Sequence, residues 1–136
     1  MVLKQHTLSR TERLKSRKQI DKLFTSGRYF NMPPLRLNYT IDAGGENDHL
    51  QMGVGVSGKH FKKAVDRNRV KRLIREAWRL QKAELASQCK LTGRSLKVFI
   101  IYTGRDLPDF KLMFEKTGSA IARLSSLINE TDPSHT

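Results

Sequence analysis

Residues 67–80, RNRVKRLIREAWRL, have an alternation of apolar and basic residues that is the clearest guide to the fold. At about 100° per residue, the apolar side chains fall on one half of a helix and the basic ones on the other. The apolar half has Val70, Leu73, Ile74, Ala77, Trp78 and Leu80, and the polar half has Arg67, Asn68, Lys71, Arg72, Arg75 and Arg79. The pattern predicts one long helix over roughly Arg67 to Ala86, with a core face and a cationic face.

A short helix and two strands are predicted before this helix. Ser16, three residues ahead of Gln19, can cap a helix that Gly27 stops, and Pro33-Pro34 then favours extended chain. The first strand alternates Leu35, Leu37, Tyr39 and Ile41 with Arg36, Asn38 and Thr40, and the second alternates Met52, Val54 and Val56 with Gly53 and Gly55. We expect these two strands to pair as an antiparallel hairpin.

A third strand and a last helix are predicted after the long helix. The apolar run of residues 96–102 is typical of a central strand covered on both faces. Asp109 or a neighbour can start a helix that Gly118 interrupts, with Leu112, Met113, Ile121, Leu124 and Ile128 on its buried side. The fold class is therefore α+β, a small sheet of three to four strands packed against helices, with the long basic helix as a crossover. Residues 1–128 form one domain with a basic N-terminal segment, and residues 129–136 are expected to be a disordered tail.

The charge of the chain predicts a polyanionic partner. The 136 residues include 26 Lys plus Arg against 13 Asp plus Glu, a formal charge of +13. Such an excess is repulsive unless phosphates neutralise it. The single cysteine, Cys89, excludes an internal disulfide, and no run reaches the ~18 to 20 apolar residues that span a bilayer. We expect a cytoplasmic protein that binds no membrane.

The basic half of the long helix has two interpretations. It could be an ordinary solvated surface, as most charged helix faces are. Its charges do not alternate in sign, however, since Glu76 is the only acid among them, and like charges spaced i, i+4 weaken an isolated helix. Arginine also grips phosphate with two parallel hydrogen bonds. The composition favours phosphate binding.

Residues 61–75, FKKAVDRNRVKRLIR, closely resemble the signature of the bacterial ribonuclease P protein component. The resemblance is carried by Ala64, Arg67-Asn68-Arg69, Lys71-Arg72 and Arg75, and it extends from about Leu8 to Leu127. It implies a small protein that assists a catalytic RNA in the endonucleolytic removal of the 5′ leader from precursor tRNA. The RNA would perform the chemistry and bind most of the Mg2+, with no organic cofactor and no obligate protein partner. The family fold also implies a left-handed crossover between parallel strands.

The resemblance also implies roles for individual residues. The expected contacts to the RNA subunit are Arg67, Asn68, Arg69, Lys71, Arg72 and Arg75, and the basic face adds Arg79. The expected contacts to the single-stranded leader are Ile20, Phe24, Tyr39, Lys59 and Lys63. Base stacking on aromatic rings tolerates any base, which suits leaders of varied sequence. Core packing is the alternative for the two aromatic residues, and a helix-start role is the alternative for Asn68.

From the sequence we expect no catalytic residues in the protein and no metal site. The four histidines, His6, His49, His60 and His135, are scattered, and no carboxylates cluster as a metal-dependent nuclease requires. Three rivals stay open: a structural RNA-binding module such as a ribosomal protein, a binder of double-stranded DNA, and a protein-only nuclease. A ribosomal-type protein would not prefer precursor over mature tRNA, and a DNA binder would need its basic face clear of the sheet.

Overall fold

A four-stranded sheet forms the centre of the molecule. The structure is a computed structural model that describes residues 13–14, 16–43 and 50–130. The strands are β1 (Arg28–Met32), β2 (Leu35–Ala43), β3 (Leu50–Val56) and β4 (Arg94–Tyr102). Their order across the sheet is β1-β2-β4-β3. β2 is antiparallel to both β1 and β4, whereas β3 is parallel to β4.

The predicted hairpin between the first two predicted strands, which are β2 and β3 of the structure, is wrong. β4 lies between β2 and β3, so that Ile100 has Leu37 on one side and Val54 on the other. β4, the most apolar strand, lies in the interior of the sheet, where it has a neighbouring strand on each side. The hairpin partner of β2 is β1, across Pro33-Pro34. This short edge strand was not predicted, since its residues are exposed or only half-buried.

Four helices complete the fold over the described residues, and their ends largely follow the predicted signals. They are α1 (Arg17–Ser26), α2 (Ala64–Gln81), α3 (Ala83–Thr92) and α4 (Phe110–Glu130). The Ser16 hydroxyl accepts from the Gln19 N–H, and Gly27 donates to the Leu23 carbonyl at the end of α1. At the start of α4, the Asp109 carboxylate accepts from the Leu112 N–H at 2.8 Å. These caps confirm both predicted helix starts.

The predicted single helix from Arg67 to Ala86 is in fact two helices. α2 begins at Ala64 and ends at Gln81, and α3 follows after one intervening residue. The Gln81 amide donates to the Phe114 carbonyl of α4 at 3.0 Å, which joins the end of α2 to its neighbour. Together α2 and α3 form the connection between the parallel strands β3 and β4.

The core lies between one face of the sheet and the helices α2, α3 and α4. The predicted core residues of α2 are buried except for Leu80, which is 39% exposed, and Leu73, which is half-buried. Along β4 burial alternates, with one face fully buried and the other half-buried, so the strand is not fully covered on both faces. No helix of the described residues is long and apolar enough to cross a membrane.

The last helix differs from its prediction at two points. It continues through Gly118, and the Gln81 side chain occupies the space that a Cβ atom would need there. It also reaches Glu130, so residues 129 and 130 are helical rather than part of a disordered tail. The rest of that predicted tail, residues 131–136, lies outside the described residues.

Candidate nucleic-acid interface

Helix α1 crosses the sheet on the face opposite the core. Three residues before this helix begins, the Leu14 N–H donates to the Met52 carbonyl of β3 at 2.7 Å. Phe24 then packs edge-to-face on Phe99 of β4, with the ring centroids 5.4 Å apart. Because cross-strand partners share a face, Phe99 and Gly53 point to the same side of the sheet. This side is only partly covered by α1.

An open cleft of about 500 Å³ lies beside α1. Its lining residues come from the N-terminal segment, α1, β3, β4 and α2, namely Arg13, Leu14, Ile20, Met52, Gly53, Val54, Arg75 and Phe99. A Cβ atom on Gly53 would lie 2.8 Å from both the Leu14 carbonyl oxygen and the Phe99 ring. Glycine at this position therefore lets the N-terminal segment and the ring approach the strand closely.

Two guanidinium groups converge on this cleft. Burial lowers the pKa of Arg75, and the positive charge of Arg13 lowers that pKa further. Like charges close together are unfavourable until an anion lies between them. The cleft thus combines apolar surface from Ile20 and Phe99 with a site suited to phosphate.

The outward face of α2 continues from the cleft as a row of basic side chains. We call Asn68, Arg69, Lys71, Arg72 and Arg75 the α2 basic face; all five side chains are exposed or half-exposed. None of these side chains has a hydrogen bond or ion pair to another residue within the described ranges. Arg75 belongs to both the face and the cleft, so the two surfaces are continuous.

The two ends of the predicted basic row have protein partners instead. Arg67 Nη1 donates to the carbonyls of Phe61 and Lys62, both at 2.8 Å, and so holds the loop that leads into α2. Arg79 forms an ion pair with Glu76, and the hydrogen bond between them lowers the pKa of the carboxyl group. Periodicity alone could not distinguish these two arginines from the rest of the row.

The residues expected to hold the leader do not all lie together. Ile20 lines the cleft, and Phe24 is 42% exposed above the same sheet face. Tyr39 is on the opposite face, only 7% exposed, with its ring 5.8 Å from that of Phe30. Lys59 and Lys63 are exposed in the connection between β3 and α2 and do not line the cleft.

Comparison with known proteins settles the family. A family model described as Ribonuclease P matches residues 8–125. The chain belongs to the family of ribonuclease P protein components. A relative of that name from Porphyromonas gingivalis is 34% identical over 118 residues, which cover 87% of this chain and 86% of the relative. Another from Chlorobium phaeobacteroides is 32% identical over 137 residues, covering 92% and 90% of the two chains.

Solved ribonuclease P proteins have the same fold. The Staphylococcus aureus protein matches with a TM-score of 0.63 at 18% identity, over 87% of this chain and 98% of the other. The Thermotoga maritima protein matches with a TM-score of 0.63 at 22% identity, over 82% and 96%. Both the family resemblance and the α+β fold predicted from the sequence are confirmed.

One cleft residue of this ribonuclease P protein component was missed by the sequence analysis. Phe99 was assigned only to a continuous apolar run, although its place between Val98 and Ile100 put it on the other face of the strand. Strand alternation was therefore the available signal. Arg13 is one of the basic residues of the N-terminal segment, to which the sequence assigns no individual role, and its position beside Arg75 depends on the fold.

Other reactive groups of this ribonuclease P protein component lie apart from the cleft. Over the described residues, no three His, Cys, Asp or Glu side chains are placed to hold a metal ion. Cys89 is a free, fully buried thiol, and burial raises its pKa to about 11. At neutral pH it is therefore protonated and packs as an apolar side chain.

Proposed function

We propose that this ribonuclease P protein component binds the catalytic RNA subunit through the α2 basic face and the single-stranded 5′ leader of precursor tRNA in the cleft beside α1. Membership of the family already supports the role of a ribonuclease P subunit in tRNA processing. In the proposal the RNA cleaves the phosphodiester bond, and no side chain of the protein takes part in that chemical step.

The continuity of the α2 basic face with the cleft is the observation that carries the proposal. The face offers cationic side chains without protein partners within the described residues, and these can neutralise RNA phosphates. Arg75 joins the face to a cleft that also contains apolar and aromatic surface. A folded RNA on the face and a single strand in the cleft would therefore be adjacent.

The cleft is suited to a single strand of varied sequence. Bases can stack beside Phe24 and Phe99, a contact worth ~1 to 3 kcal/mol per base that tolerates every base. Arg13 and Arg75 supply phosphate contacts, and the exposed Lys59 and Lys63 add positive charge in the connection between β3 and α2, two elements that line the cleft. Tyr39 is left out of the leader site because it packs on the core side of the sheet.

The same charges would lower the Mg2+ requirement of the catalytic RNA. Each phosphate that the α2 basic face neutralises is one that divalent ions need not screen in the folded RNA. The Mg2+ itself would be bound mainly by the RNA, whose phosphates are better ligands than this surface of arginines and lysines. Leader contacts would favour precursor over mature tRNA, because the mature product lacks the segment that fills the cleft.

Leader removal at low Mg2+ tests the proposal, with protein alone, catalytic RNA alone and both together. Cleavage only in the mixture is expected. Cleavage by the protein alone would show that the chain is itself a nuclease. Stimulation without any preference for precursor over mature tRNA would reduce it to a general RNA-binding module.

A further inference from the structure

A row of cross-strand partners connects the cleft with the far edge of the sheet. On successive strands, Gly53 is opposite Phe99, Phe99 is opposite Asn38, and Asn38 is opposite Tyr29. Cross-strand partners point to the same side, so Tyr29 on the edge strand β1 shares the face of Phe99. Two strand spacings, about 10 Å, separate them.

Tyr29 and Arg36 form a stacked pair at this edge. The guanidinium carbon of Arg36 lies 4.3 Å from the centroid of the Tyr29 ring. The tyrosine is nevertheless 58% exposed, more than any other aromatic residue in the described part of the chain. A planar cation on an exposed ring is a surface on which a further flat group can stack.

Asn38 lies between this pair and Phe99, and it carries an unsatisfied group. The residue is only 4% exposed, and no described residue donates a hydrogen bond to its side-chain carbonyl oxygen. Buried acceptors of this kind are uncommon, because an unmade hydrogen bond is costly. At 4% exposure the residue is covered by protein, so it marks the row between the two sites and is not itself a contact to a base.

The charge of residues 22–41 favours an anionic partner over a neutral one. From Lys22 to Ile41 the sequence has no acidic residue, and Arg28 and Arg36 are both exposed on β1 and β2. Cationic side chains beside an exposed ring are the combination that binds single-stranded nucleic acid.

We propose that Tyr29 and Arg36 form a second stacking site for single-stranded RNA, which extends the leader path across the sheet from the cleft to the β1 edge. This inference rests on the proposed function of the cleft. In this proposal Phe24 and Phe99 hold the first nucleotides of the leader, and the Tyr29–Arg36 pair holds the nucleotides beyond them.

Leader length provides the test. The affinity of the reconstituted holoenzyme is measured for precursor tRNAs whose leaders grow one nucleotide at a time. The wild type is expected to gain affinity in two stages, the first from the cleft and the second from the β1 edge. Tyr29→Ala should keep the first gain and lose the second, by about fivefold to about 140-fold, the range that base stacking gives at 1.4 kcal/mol per tenfold. Arg36→Gln should act in the same direction.

Two controls accompany these variants. Tyr29→Phe keeps the ring and should keep the second gain. Phe110→Ala removes a ring that is 37% exposed on α4, and it should leave both gains unchanged. Thermal unfolding of each variant shows whether the fold is intact, which the exposure of Tyr29 predicts.

Three outcomes would overturn the inference. If Tyr29→Ala retains both gains, the second site is absent while the function of the cleft stands. If the variant loses the same factor at every leader length, Tyr29 does not act on the distal nucleotides. If the wild type shows no gain with leader length at all, the proposed leader binding in the cleft fails, and this inference fails with it.

Discussion

Removing charge from the α2 basic face should flatten the salt dependence of binding to the catalytic RNA. The perturbation replaces its four cations with glutamine, as Arg69→Gln, Lys71→Gln, Arg72→Gln and Arg75→Gln, singly and together. These side chains have no acidic partner within the described residues, so no buried group loses its partner when they are changed. Glutamine also keeps a high helix propensity, so α2 should stay folded.

The magnitude follows from counterion release. Each phosphate contact adds about 0.7 to 0.9 to the slope of the logarithm of the binding constant against the logarithm of salt concentration. Four contacts therefore account for about 50- to 150-fold of the affinity that the wild type loses between about 50 and 200 mM salt. Each single variant should lower the slope by somewhat less than one unit, and the fourfold variant by about three.

A matched control is available on the same helix. The double variant Glu76→Gln, Arg79→Gln removes an ion pair that is already neutral in sum, and it should leave the slope unchanged. Filter binding or fluorescence titration against the RNA subunit at a series of salt concentrations measures both. Equal slopes for the wild type and the fourfold variant would refute the assignment of this face, as would a loss in the control as large as in the fourfold variant.

Three further predictions concern stability and the cleft. Arg67→Ala should lower the free energy of unfolding of the free protein by about 1 to 3 kcal/mol in urea titrations, because two carbonyls lose a charged donor, whereas Arg72→Ala should change it by less than about 0.5. Gly53→Val should close the cleft, destabilise the protein and abolish the preference for precursor tRNA, whereas Gly58→Ala, with open space around its Cβ position, should do neither. Burial raises the pKa of the Cys89 thiol from 9.0 to about 11, so the unfolded chain loses this proton at lower pH than the folded protein does. The stability that the buried thiol contributes is therefore fully present below pH 9 and is lost as pH rises from 9 to about 11. The stability difference between the wild type and Cys89→Ala should shrink over that window.

The amphipathic pattern and the caps were local enough to be predicted. The core face of α2, the cap at Ser16 and the start of α4 after Asp109 each depend on residues within one or two helical turns. The strand order was not local. Only the competition among all the strands for the central position decides that β4 separates β2 from β3. The break between α2 and α3 likewise coincides with a contact from Gln81 to α4, far along the chain.

The candidate site also has features that could be predicted from sequence and features that depend on the fold. The sequence by itself determined that one face of α2 is cationic, since helix periodicity and charge are properties of a short segment. Only the tertiary structure decided which of those arginines have protein partners, because the loop carbonyls that bind Arg67 and the carboxylate that binds Arg79 are placed by folding. It also placed Tyr39 and Phe24 on opposite faces of the sheet, because a strand turns successive side chains to opposite sides and the pairing register selects the side that meets α1.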